Sequence, residues 1–384
     1  MRMSLDGVYK PSIKLSKCKD CGLCKKVCPT FSFDQNLMIT NTLGHFISCY
    51  IGYSNDTEIR WNSASGGLAT TILLFMLKKG IINGAIVVIN NIKDPLKPLM
   101  SFVKTEEDLR TAMGSKYCPV KPHFKVRDLV NEEGNMAVVG LPCHIWAFKK
   151  LEEINEKLRQ KIVIHIGLFC GKCPNFYATI YFLRKVAGVN EDNVAKLSYR
   201  GKGWPGKITV ETRQGCNYTF ELNDWYQFSY YPHFIPIHCM TCYDITNQQA
   251  DLSLGDAWGL VHDRIGTSVI ITRTSRGERL LQQLYDEGKI VLRKVSPERV
   301  YSGQELEVRV RKTLIRSFLW WKIFKQPVSH TTFTLHNLSV KDYLFNFVYC
   351  IWFYASQNPL IRTMLCNLTP YITKLKEFMV WENR

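Results

Sequence analysis

Cys18-Lys-Asp-Cys21-Gly-Leu-Cys24-Lys-Lys-Val-Cys28-Pro29 constrains this chain more than any other segment. The spacing is C-x2-C-x2-C-x3-C-P. A short loop of this kind aims thiolates at the corners of one iron–sulfur cubane, Gly22 permits the tight backbone, and Pro29 turns the chain away. Zinc knuckles use two separated C-x2-C pairs, so zinc and idle thiols are the weaker readings. The run predicts a 4Fe-4S cluster held by Cys18, Cys21, Cys24 and Cys28. In two-cluster ferredoxins the fourth cysteine of such a run serves the other cluster. No second run is present, so either Cys28 closes its own cluster or a remote residue such as Cys49 does.

The chain has 384 residues, which suggests two or three domains. Residues 1–48 read as a ferredoxin-type segment, 49–295 as an α/β body and 296–384 as a basic, aromatic, mostly helical tail. The fold class expected is a mixed α/β (α+β) body carrying those two additions. Hydrophobic residues make up 46%, enough for a core, and the net charge is +17. The basic residues form no long run, which favours an acidic protein partner over nucleic acid. Met1–Lys17 has no apolar core of a signal peptide, so the fourteen cysteines point to a reducing cytoplasm and to metal or catalysis.

Within the body, Ile47–Arg60 reads as a connection. Leu68–Lys79 reads as a buried helix stopped by Gly80, and Ala85–Asn90, Met136–Gly140, Ile162–Phe169 and Ser268–Thr272 read as strands. Strands alternating with helices argue α/β. In the tail, Tyr343–Ala355 is apolar but shorter than the roughly 20 residues a spanning helix needs. A helix packed on the body is favoured over one docked on a membrane or partner.

Four more cysteines stand where sites form. Cys143 follows a strand at a helix start, and Cys170 follows another strand; ligands gather at the carboxyl ends of strands in α/β sheets. Cys239-Met-Thr-Cys242 is a two-thiolate chelate with Asp244 beside it. Together the four can supply a second cluster, although a lone cysteine after a buried strand is more often a small core residue. Ser65-Gly66-Gly67 before a helix suits an anion, with an ordinary helix N-cap as the plain alternative. Asp251–Gly259 reads as a strand ending in a turn.

These segments together resemble the family of coenzyme F420 hydrogenase/dehydrogenase beta subunits, in its bacterial type with an N-terminal 4Fe-4S segment. The matching stretches are Arg60–Gly67, Gly114–Tyr117, Gly140–Cys143, Cys170-Gly171, Tyr199–Gly203, Cys239–Asp244 and Ala250–Gly259, in the family's order. The resemblance implies an iron–sulfur flavoprotein with FAD near Ser65, Gly66, Gly67, Lys116 and Tyr117, and Asp256 and Trp258 nearby. It makes Cys143, Cys170, Cys239 and Cys242 the candidates for a body cluster. It implies electrons passing from ferredoxin, or another acidic redox protein, through the clusters to FAD and a small-molecule substrate. Bacterial relatives are associated with polysaccharide biosynthesis. The alternatives are a non-catalytic electron-transfer subunit of a larger complex, and an iron–sulfur scaffold with a peripheral membrane contact through the tail.

Two departures from the family stand out. The linker Asp6–Ile13 lacks the cysteine run that precedes it in many relatives. Cys173 occupies a stretch where relatives carry a small polar loop, and its role is open.

Overall fold

The computed structural model describes residues 1–32, 42–324 and 339–381. The stretches 33–41, 325–338 and 382–384, parts of the expected N-terminal segment and tail, lie outside the described residues. The strands, in chain order, are β1 (Arg2–Met3), β2 (Tyr9–Lys10), β3 (Ser48–Ser54), β4 (Gly84–Ile89), β5 (Leu99–Val103), β6 (Lys121–Pro122), β7 (Met136–Gly140), β8 (Ile162–Leu168), β9 (Val194–Ser198), β10 (Lys207–Thr212), β11 (Asn217–Glu221), β12 (Leu252–Asp256), β13 (Ser268–Thr272) and β14 (Ile290–Lys294).

Nine of them build one mixed sheet in the order β14-β3-β13-β12-β8-β7-β4-β5-β6. Its centre, β12-β8-β7-β4, is parallel, with Val139 opposite Ile166 and Leu252 also opposite Ile166. Both faces are buried. Ala85, Val87, Ala137 and Val139 face the Leu68–Lys78 helix, while Ile86, Met136 and Val138 face Ile145 and Phe148 of the Pro142–Ile154 helix. This alternation with apolar residues at every position is what a sheet covered on both sides requires.

The Ile47–Arg60 stretch is not a connection. It holds β3, paired antiparallel with β13 and β14, and then the Thr57–Asn62 helix capped by Asp56. Because β3 is buried on both faces, its residues show no polar alternation to betray it. Cys49 lies inside β3, 1% exposed, and packs with Leu43, Val269 and Ile271. Burial pushes its thiol up to about 11. It belongs to the core and stands apart from the solvent-facing Cys18–Cys28 loop.

A second sheet, β11-β10-β9, packs with the Phe176–Tyr181 and Leu222–Ser229 helices around an aromatic core of Trp225, Phe182, Phe228 and Phe234. The tail folds back on this unit. The Leu306–Phe324 helix pairs with the Val340–Ala355 helix, where Trp320 meets Phe353 and Arg316 Nε donates to Asn346 Oδ1 at 2.8 Å. The Pro359–Trp381 helix brings Arg362 to the Leu5 carbonyl, which also accepts from Tyr177. Among the described residues no helix is long and apolar enough to cross a membrane.

Candidate functional site

The parallel centre of the sheet sends β7, β8 and β12 out at one edge, so Gly140, Leu168 and Asp256 end side by side. Cys143 follows at the start of the Pro142–Ile154 helix and Cys170 follows β8. Asn247 ties this edge to the Cys239–Cys242 loop: its Nδ2 donates to Gly140 O at 2.8 Å and to Leu168 O at 3.3 Å. The Cys170 backbone N–H donates to Ile245 O at 2.9 Å.

These contacts bring Cys143, Cys170, Cys239 and Cys242 within electrostatic reach of one another, and Cys173 with them. Burial first, then the neighbouring thiols, pushes Cys170 and Cys173 well above the ordinary thiol range. Cys239 is also raised by burial, opposed by the Cys173 backbone N–H and by Lys172. Cys143 is raised to about 12 by burial and by Cys239, opposed by the Cys143 and His144 backbone N–H groups. Yet Cys143 is solvent-exposed by surface area. A side chain that is accessible and still densely surrounded lines a concavity.

No three His, Cys, Asp or Glu side chains among the described residues are close enough to ligate a single metal ion. The thiols are therefore not drawn together as around a mononuclear zinc, whose ligands all lie about 2.3 Å from one centre. Backbone N–H groups are aimed at the sulfurs of Cys143, Cys239 and Cys242. That donor set fits a multi-iron cluster, which takes four thiolates and N–H···S contacts.

The loop at Cys18–Cys28 is a separate group. Cys18, Cys21 and Cys24 are exposed and Cys28 is half-buried. The Leu23–Val27 helix rests on the Pro142–Ile154 helix, and Lys25, Lys26 and Phe31 share a cleft with Lys150 and Ile154. Lys150 is two turns from Cys143, about 10 Å along the helix axis. One helix thus connects the two cysteine groups.

The residues expected beside a flavin gather at the same sheet edge, but most have partners within the protein. Ser65 Oγ donates to Thr267 O at 2.9 Å, and Gly66 N donates to Ser268 Oγ at 3.0 Å. A Cβ on Gly66 would lie 2.6 Å from Gly52 O, so the glycine is required by strand packing. Gly67 adopts φ +76° where the Leu68–Lys78 helix begins. Lys116 Nζ donates to the carbonyls of Ala112, Met113 and Gly114, which closes the preceding helix, and burial lowers it to about 8. Tyr117 stacks on Trp225 and its hydroxyl accepts from Arg200 at 3.3 Å. Trp258 packs on Trp204 with ring centroids 4.3 Å apart.

Arg200, within the Tyr199–Gly203 stretch, organises this pocket, a role that the motif alone does not reveal. Its Nη1 donates to Asp256 Oδ2 at 2.7 Å and its Nε to Pro205 O at 2.8 Å. Burial works against its charge, but Asp256, Tyr117 and Tyr226 outweigh that and hold it above its usual range. Two buried donors here, Arg200 Nη2 and Trp204 Nε1, have no hydrogen-bond partner among the described residues. Buried donors left unmade are costly. The pair fits a bound molecule that offers acceptor atoms, as a flavin does.

Tyrosines run from the thiols to this pocket. Tyr230 interacts with Cys170 and Cys173, stacks on Tyr226 at 5.8 Å, and the Tyr226 hydroxyl lies 3.3 Å from that of Tyr117. A separate cleft of about 430 Å³ lies between Met3, Gly7, Leu96, Phe176 and Arg213, and no candidate residue lines it.

Comparison with known proteins identifies the family of the chain. Residues 49–126 match the N-terminal part, and residues 134–298 the C-terminal part, of the family described as coenzyme F420 hydrogenase/dehydrogenase, beta subunit. One component of the F(420)H(2) dehydrogenase of Methanosarcina mazei is 25% identical over 74% of this chain and 75% of its own length. The coenzyme F420 hydrogenase subunit beta of Methanothermobacter thermautotrophicus is 28% identical over 64% of this chain and 84% of its own. A chain of the F420-reducing [NiFe] hydrogenase complex from Methanosarcina barkeri shares the fold, with a TM-score of 0.56 and 23% identity over 72% of this chain and 93% of that one. The matched segments carry every body residue singled out above, from Ser65 to Trp258, and on that basis this chain belongs to the family of coenzyme F420 hydrogenase/dehydrogenase beta subunits.

Proposed function

We propose that this chain is an electron-transfer subunit of a larger redox enzyme. It holds one 4Fe-4S cluster at Cys18, Cys21, Cys24 and Cys28 and a second at the body thiols. It passes electrons between them and a flavin-type cofactor beside Arg200 and Trp204. The observation that carries this reading is the meeting of five cysteines with an aromatic path that leads to two unpaired buried donors. Relatives named as subunits, of an F(420)H(2) dehydrogenase and of a coenzyme F420 hydrogenase, support a role within a complex over a free-standing enzyme. When bound, the clusters supply one-electron steps and the cofactor supplies the change to two-electron chemistry. The protein's part is to fix their spacing and to exclude water.

Lys17, Lys19, Lys25 and Lys26 surround the exposed cysteine loop and suit an acidic redox partner, a ferredoxin or another subunit. The test is anaerobic reconstitution of the full chain. Iron and sulfide near two clusters per chain, together with flavin released on denaturation, would support the reading. Protein that takes up neither iron nor flavin would overturn it. Binding to anionic vesicles without iron would favour the scaffold instead.

A further inference from the structure

Lys172 sits between Cys170 and Cys173 in the loop after β8. The side chain is partly exposed along its stem, but its Nζ is sealed from solvent and has no hydrogen-bond partner among the described residues. The Tyr349 ring is 5.6 Å away. Burial first, and then Arg316, disfavours the ammonium, and the thiols of Cys239, Cys242 and Cys350 are the groups that favour it. No carboxylate is among those groups.

A sealed ammonium without an acceptor is unfavourable unless a negative charge lies beside it. The neighbouring thiols offer that charge only as thiolates. Metal coordination deprotonates a thiol outright. Lysine and cysteines are therefore mutually satisfied when the thiols are metal-bound, and poorly so otherwise.

We infer that Lys172 is the counter-charge of the body iron–sulfur site, compensating metal-bound thiolates and raising the site's reduction potential. The inference rests on the reading of the body thiols as a cluster site. A nearby cation favours the state that carries the added electron, and net charge around a cluster is one of the factors that set its potential.

The test uses the full chain carrying Cys18→Ser, Cys21→Ser, Cys24→Ser and Cys28→Ser, so that only the body site reports. Iron, acid-labile sulfide and an EPR-monitored redox titration are compared with and without Lys172→Met and Lys172→Arg. Lys172→Met is expected to keep its iron and to disfavour reduction at least tenfold, a shift of about 59 mV for one electron. Lys172→Arg is expected to stay near the parent. Loss of iron in Lys172→Met but not in Lys172→Arg also supports a charge role. Unchanged potential in an iron-loaded Lys172→Met protein overturns the inference and leaves the cluster reading intact, and loss of iron in both variants overturns it in favour of packing. A parent that binds no iron overturns the cluster reading and the inference with it.

Discussion

Arg200 Nη1 and Asp256 Oδ2 are 2.7 Å apart, and both side chains are nearly sealed, at 3% and 13% exposed. The pair joins the loop after β9 to the end of β12. Removing one member of a buried pair strands the other charge, which costs about 3–5 kcal/mol. Asp256→Asn is therefore expected to lower unfolding stability by about that amount, measured in denaturant. Arg200→Gln, which also removes the orphan donor Nη2, is expected to weaken flavin retention beyond its effect on stability. Equal flavin retention in the two variants would show that Arg200 acts only through Asp256.

Gly66 separates packing from ligand binding in the Ser65–Gly67 turn. An added methyl meets Gly52 O at 2.6 Å and Ser268 N at 2.9 Å, both backbone atoms that cannot step aside. Gly66→Ala is expected to destabilise the protein by roughly 1–3 kcal/mol through overpacking. The measurement is a denaturation midpoint beside the bound-flavin ratio. Lost flavin at unchanged stability would assign the glycine to cofactor approach instead.

Much of this site was legible because its chemistry sits at punctuation points. Cys143 and Cys170 follow apolar runs that can only be buried strands, and Cys239-x-x-Cys242 announces a chelate by spacing alone. What escaped is what depends on non-local pairing. Arg200 finds Asp256 across 56 residues, and β3 is fixed by β13, more than 200 residues away. Lys116, expected beside the cofactor from its motif position, donates to the carbonyls that close the helix before it, a contact that the motif does not reveal. Cys173 does carry a spacing signal, since Cys170-Gly-Lys-Cys173 repeats the C-x-x-C of Cys239–Cys242, whereas Lys172 carries none and acquires meaning only when the Cys239 loop folds over it.

His233 makes the attachment of the C-terminal helices sensitive to acid. Its Nε2 lies 3.1 Å from Thr369 Oγ1, and its ring stacks on Trp352 at 5.6 Å. Burial, and then Arg362, lowers it to about 3 from an ordinary 6.5. A depressed folded value means the contribution is whole above pH 6.5 and is lost as pH falls toward 3. The slope for one such proton is about 1.4 kcal/mol per pH unit. Tryptophan fluorescence during acid titration is expected to report release of the Trp352 region. His233→Asn is expected to flatten the profile between pH 6.5 and 4, and an unaltered profile would assign the transition to other groups.

The proposed body cluster needs four thiolates and five thiols stand near it, and their surroundings rank them. Cys239 is the first neighbouring thiol acting on Cys143, Cys170 and Cys173. Cys173 turns its Sγ toward Pro174 O at 3.8 Å and also feels Cys118, on the side of the aromatic core. Single serine variants of the full chain are expected to separate the two roles. Cys239→Ser should reduce iron from about eight to about four atoms per chain, the content of one cubane. Cys173→Ser should retain all of it, with a changed EPR line shape, because the Cys173 backbone N–H reaches Cys239 whatever the side chain. Iron loss in Cys173→Ser together with retention in Cys143→Ser would exchange their roles and move the site from the start of the Pro142–Ile154 helix to the loop after β8.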